Sequence, residues 1–113
     1  MILKYEFYIN SAHYLPNYVG KCKQLHGHTW TLEVSIQGSV NPDTGFVMDF
    51  HQISYIVQTK VIDILDHKLI NDIIENPTAE NILQWIKDTL GKHFDNVVKL
   101  RLREGFGGWA EIS

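Results

Sequence analysis

Residues 28–38, HTWTLEVSIQG, alternate without a break. Trp30, Leu32, Val34 and Ile36 fall on one parity, and Thr29, Thr31, Glu33, Ser35 and Gln37 fall on the other. A period of two over this length predicts a β-strand with one apolar face and one wet face. The residues just upstream are unusual. KCKQLHGHTW (21–30) holds the only cysteine of the chain, two lysines and a His-Gly-His.

Outward from that strand, the same period returns in residues 3–9, where Leu3, Tyr5, Phe7 and Ile9 oppose Lys4, Glu6 and Tyr8. It returns again in 97–104, where Val98, Leu100 and Leu102 oppose Lys99, Arg101 and Arg103. Residues 11–27 read as a loop, and Phe46-Val47-Met48 read as a short strand after the turn cluster Asn41-Pro42-Asp43-Thr44-Gly45. Asp49 is an expected N-cap, with Gln52 as its capping-box partner, for a helix reaching about Leu65. Pro77-Thr78 opens a second helix to about His93, with Ile82, Leu83, Trp85, Ile86 and Leu90 on one face. Trp109–Ile112 closes the chain as a short strand. Trp30, Trp85 and Trp109 are expected in the core, and His51 and His93 on helix surfaces. This order predicts one α+β domain over 1–113: an antiparallel sheet with two helices on one face. Two open sheet edges in so small a domain predict an oligomer.

Composition narrows the class. The chain has 113 residues, 44% hydrophobic and 20% charged, with a formal net charge of −3. There is no basic field to hold nucleic acid. A lone Cys22 excludes an intrachain disulfide and fits a reducing, cytoplasmic setting. No run approaches the roughly 18 apolar residues of a membrane helix.

The chemistry concentrates in a few residues. His26 and His28, at i and i+2 on an extended segment, point the same way with Cα atoms about 6.6 Å apart. His13, in the expected loop after the first strand, is the candidate third ligand. Three imidazoles and one open corner suit a catalytic zinc. Cys22 lies between Lys21 and Lys23, which favour the thiolate. The pattern leaves two roles open: a fourth ligand closing the site, or a base or nucleophile beside an open one. Asp66 ends the first helix and can orient His67. Glu104 shares the parity of Leu100 and Leu102, so a carboxylate is aimed toward the apolar side and needs a partner. Paired N–H donors of a ligand would supply one.

Taken in order, Phe7…Ser11-Ala12-His13, Cys22…His26-Gly27-His28, Thr44–Phe50, Leu65-Asp66-His67, Pro77–Asn81 and Arg103-Glu104 resemble the 6-pyruvoyltetrahydropterin synthase / 6-carboxytetrahydropterin synthase family. The spacing of Cys22 and His-Gly-His is similar to the 6-carboxy branch. The resemblance implies the tunnelling fold (T-fold), whose subunits form an oligomeric barrel, commonly a homohexamer of two stacked trimers. It implies Zn²⁺ on His13, His26 and His28, and Cys22, Asp66 and His67 as catalytic groups. It places the pterin on Glu104 and the backbone near Thr78. The implied substrate is 7,8-dihydroneopterin triphosphate, and the implied setting is queuosine biosynthesis. Lys21 and Lys23 are the expected triphosphate contacts. Two residues depart from the pattern: Ala79 replaces a hydroxyl residue, and Gly105 replaces a threonine. Two alternatives stay open. One is another pterin side-chain lyase, including the 6-pyruvoyl enzyme. The other is a non-catalytic assembly protein with a Cys-His₃ zinc site closed by Cys22.

Overall fold

The computed structural model describes residues 1–113. Strands β1 (Ile2–His13) and β2 (His26–Gln37) pair antiparallel along their whole length, from Ile2 opposite Gln37 to His13 opposite His26. β3 (Val97–Glu104) pairs with β2, and β4 (Trp109–Ile112) pairs with β3, so the sheet order is β1-β2-β3-β4. A bulge between Ser35 and Ile36 leaves Val98 unpaired. Beyond it, Leu100, Leu102 and Glu104 sit opposite Val34, Leu32 and Trp30 on one face.

β1 runs four residues past its expected end. Ser11 and His13 are polar yet buried, because they continue the inward parity of Phe7 and Ile9. The stretch read as a loop over 11–27 therefore begins and ends as strand, and His13 is the last residue of β1 rather than a loop residue. Phe46-Val47-Met48 do not form a strand. The chain closes on itself there: Asn41 N–H donates to the Phe46 carbonyl at 2.8 Å, and Asn41 Oδ1 accepts from the amides of Asp43 and Thr44.

Between β2 and β3 the chain makes two helices. The first, α1, is α-helical over Phe50–Val57, π-helical over Gln58–Ile62 and α-helical again over Asp63–Leu65. Asp49 caps it, accepting the His51 amide at 2.8 Å; the Gln52 side chain takes no part. The second, α2, spans Ala79–Leu90. Thr78 Oγ1 accepts the Asn81 amide at 3.1 Å, a cap that contributes about 1 kcal/mol. α2 stops at Leu90, short of the expected His93, because Gly91 follows and residues 91–93 turn away.

The helices bury Ile53, Val57, Val61, Leu65, Ile82 and Ile86 against Phe7, Ile9, Trp30, Leu32, Val34, Leu100 and Leu102 of the sheet. Each fully buried aliphatic or aromatic side chain contributes about 1.5–3 kcal/mol. The other face carries ion pairs: Glu33 with Lys4 (3.5 Å) and Arg101 (3.9 Å), and Glu111 with Arg101 (3.3 Å) and Lys99 (3.8 Å). Trp109 belongs to this polar face. It is 40% exposed, with the Arg101 guanidinium 4.2 Å from its ring, so it is not a core residue. Its place opposite Arg103 in the β3–β4 ladder fixes that orientation. Trp30 is buried and Trp85 packs partly buried against the core, as expected. No helix is long and apolar enough to cross a membrane.

Candidate active site

The row of side chains that builds the core also builds the site. His26, His28, Trp30, Leu32, Val34 and Ile36 share one parity of β2, and Ser11 and His13 sit opposite His28 and His26 on β1. The apolar face therefore ends in three imidazoles, with Trp30 as their floor. The Trp30 ring meets His13 at 5.1 Å and His28 at 5.3 Å, both edge to face. The imidazole centroids lie 4.5, 5.2 and 4.8 Å apart, and one nitrogen from each comes within 4.8 Å of the others.

The outer nitrogens are held by carbonyls. His13 Nδ1 lies 2.8 Å from the Pro77 carbonyl and His26 Nδ1 2.7 Å from the Gln24 carbonyl. A carbonyl accepts only, so both rings carry hydrogen on Nδ1 and leave Nε2 as the nitrogen available to a ligand. His13 is 1% exposed, yet its Nε2 has no partner. Burial, the larger cause, and the neighbouring His26 both favour neutral His13, against the Pro77 carbonyl. Burial likewise lowers the His28 pKa, while Glu104 raises it. Three converging imidazoles, His13 buried and the other two half-buried, with no hydrogen-bond partner for Nε2 of His13 or His28, are the donor set a divalent metal needs. The cluster can hold a metal ion.

Glu104 closes this group from β3. Its Oε1 lies 3.1 Å from His28 Nε2, with a side chain 36% exposed. The parity argument for an inward carboxylate holds, and its partner within the chain is a histidine. The next residue, Gly105, has φ +56°, a left-handed turn that favours glycine. A Cβ there would come 4.0 Å from His28 Nδ1. Glu104 also lines an open cavity of about 560 Å³ with Ala79, Glu80 and Glu111. Thr78 spends its hydroxyl on the helix cap.

Asp66 and His67 follow α1 at the edge of β1. Asp66 Oδ1 accepts the Asn10 amide at 2.7 Å, the His67 amide donates to the Asn10 carbonyl at 2.6 Å, and the Ala12 amide donates to the Lys68 carbonyl at 3.1 Å. Residues 66–69 thus run along the sheet edge, reached through a left-handed His67 (φ +57°). Asp66 Oδ2 lies 2.8 Å from His67 Nδ1. The Asn10 amide holds the Asp66 carboxyl below its ordinary range; burial opposes it, and His67 adds smaller lowering effects. His67 is exposed and lines an open cavity with His28.

Cys22 lies outside the imidazole cluster, on a 3₁₀ turn (Lys21–Lys23) whose Cys22 carbonyl accepts the Leu15 amide at 2.9 Å. Lys21 and Lys23 are exposed, and neither lines the two cavities that border His28. Three supporting groups carried no sequence signal: the Pro77 and Gln24 carbonyls and the backbone of Asn10.

Residues 2–113 match the family model described as 6-pyruvoyl tetrahydropterin synthase. The chain belongs to the 6-pyruvoyl tetrahydropterin synthase family. As a member it is a lyase of that family. A protein of Archaeoglobus fulgidus, provisionally named 6-carboxy-5,6,7,8-tetrahydropterin synthase, is 39% identical over 112 residues, covering 99% of this chain and 95% of its own length. A dihydroneopterin monophosphate aldolase of Pyrococcus furiosus is 42% identical over 79 residues, 70% of this chain and 67% of its own. The structure of the Caenorhabditis elegans 6-pyruvoyl tetrahydropterin synthase superposes with a TM-score of 0.89 at 21% identity, covering 99% of this chain and 94% of that one. At that identity the likeness speaks for the fold, a four-stranded antiparallel sheet with two helices.

Proposed function

We propose that this chain converts 7,8-dihydroneopterin triphosphate, with water, to 6-carboxy-5,6,7,8-tetrahydropterin, acetaldehyde and triphosphate. The observation that carries this reading is the arrangement around His28. It joins two further imidazoles on one side, faces Glu104 at 3.1 Å, and shares a cavity with the His67 of an Asp66–His67 dyad. A structural zinc site would require neither the carboxylate nor the dyad.

His13, His26 and His28 would hold a zinc ion, which supplies Lewis-acid polarisation of a substrate oxygen. The Glu104 carboxylate accepts two parallel N–H donors, as a 2-amino-pterin edge presents them, and fixes the ring. Asp66 keeps His67 Nδ1 engaged, which leaves Nε2 to take up or deliver a proton at the substrate side chain. Cys22, at the head of the turn leading into His26, is the second proton-transfer group, acting as a thiolate. Subunits would assemble by pairing free sheet edges into a barrel, with the hexamer as the expected form.

A second reading keeps the site and changes the bond broken. The relative named as a dihydroneopterin monophosphate aldolase makes side-chain aldol cleavage the rival. The test is incubation of the purified protein with 7,8-dihydroneopterin triphosphate and mass analysis of products. Acetaldehyde with a 6-carboxy pterin supports the proposal. A 6-hydroxymethyl pterin with glycolaldehyde still bearing the triphosphate would transfer the chain to the aldolases. Retention of every side-chain carbon would make it a 6-pyruvoyl enzyme.

A further inference from the structure

We propose that Lys68 binds the phosphate-bearing tail of the substrate, a role that rests on the pterin reading above. The argument comes from how charge is distributed around the imidazole cluster. The open cavity of about 560 Å³ on one side of His28 is lined by Asn10, Gly27, Thr29, His67 and Lys68, among others, and by no carboxylate. The cavity on the Glu104 side has three: Glu80, Glu104 and Glu111. The one between β1 and the β3–β4 hairpin mixes Glu6 with Arg103.

A ligand with an N–H-rich ring at one end and a polyanion at the other fits this asymmetry in one direction only. The ring goes to the acidic cavity, the reacting carbons to the imidazoles, and the anionic tail to the cavity that holds Lys68. Two features oppose an anion there. The C-terminal end of α1 points negative dipole toward residues 66–68, and Asp66 carries a charge. Asp66, however, has one oxygen on the Asn10 amide and the other on His67 Nδ1. Lys68 is then the unpaired charge, held in place through its own carbonyl by the Ala12 amide. Its ammonium reaches phosphate as a flexible point charge. It is exposed, so its pull weakens with salt.

The experiment compares K68Q with wild type in turnover of 7,8-dihydroneopterin triphosphate and in binding of 7,8-dihydroneopterin, which lacks the leaving group, and measures binding of inorganic triphosphate by calorimetry. Loss of a charge-assisted contact should raise KM for the triphosphate substrate about tenfold to a hundredfold. It should leave kcat and the Kd of unphosphorylated 7,8-dihydroneopterin near their wild-type values. Inorganic triphosphate should bind more weakly by a similar factor, with a flatter dependence on ionic strength. The paired variant K21Q/K23Q is the rival. If K68Q leaves both the triphosphate KM and inorganic triphosphate binding unchanged, the proposal fails, wherever else the loss falls. If the wild-type protein does not turn over 7,8-dihydroneopterin triphosphate, the activity reading fails alone. Inorganic triphosphate still decides Lys68: binding lost in K68Q supports the site, and equal or absent binding overturns it.

Discussion

The Glu104 carboxylate serves two neighbours. One oxygen faces His28 at 3.1 Å, while the residue also borders the cavity beside Ala79. Glu104→Gln removes the charge and turns one acceptor into a donor, which would face the N–H edge of a pterin. We expect KM to rise about tenfold to a hundredfold with metal content unchanged, as steady-state kinetics and metal analysis would show. Cys22→Ala should lower kcat about 10²–10⁴-fold and also leave metal content at its wild-type value. Metal loss in that variant would make the thiol a ligand and revive the assembly-protein alternative. Asp66 has a folded pKa below its unfolded value, so its stabilisation is present above about pH 4 and is lost as pH falls through the lower, folded value. Asp66→Asn should therefore flatten the acid limb of a pH-denaturation curve. It should also cut kcat more than it raises KM, because His67 loses the group that orients it. At this scale the sequence named His13, His26, His28, Asp66, His67 and Glu104 by type and parity. It was silent on the carbonyls of Pro77 and Gln24, because any residue can offer a carbonyl and only the fold decides which one faces a ring.

Elements were legible where a period ran long and was punctuated. The strand over 28–38 and the two capped helices emerge at nearly their expected bounds, since alternation and caps are local properties. The far end of β1 was illegible for a physical reason. Ser11 and His13 occupy inward positions with polar side chains, which a hydrophobicity pattern scores as loop. Their pairing with His28 and His26 makes them strand. Trp109 misled in the opposite sense: a large ring normally reads as core, but stacking on Arg101 gives it a place on the wet face. Within α2 the buried face should dominate stability. Ile86→Ala, at a fully buried position between α2 and the sheet, should cost about 2–5 kcal/mol by urea denaturation.

The whole subunit is elongated, 55 Å along its longest axis, with a radius of gyration of 15.1 Å against about 13 Å for an ordinary domain of this length. Twelve-residue strands account for that shape, and they leave the outer edge of β1 unpaired over most of its length before residues 66–69 meet it. Sedimentation should give a mass several times the 13.1 kDa of one chain; a stable monomer would remove the barrel from the proposal. Stripping metal with a chelator should abolish turnover and lower the melting temperature, because an ion that binds only the folded state adds its binding free energy to stability. Activity that survives complete metal loss would end the zinc assignment. Two of the three imidazoles, His26 and His28, share a single strand with the hydrophobic row, so gain or loss of one codon carries a particular penalty here. An insertion or deletion inside 29–35 would rotate either the ligands or the core residues to the opposite side unless a bulge absorbed it. Natural length variation in this lineage should gather instead in the 39–45 connection and the glycine-rich tip at 105–108.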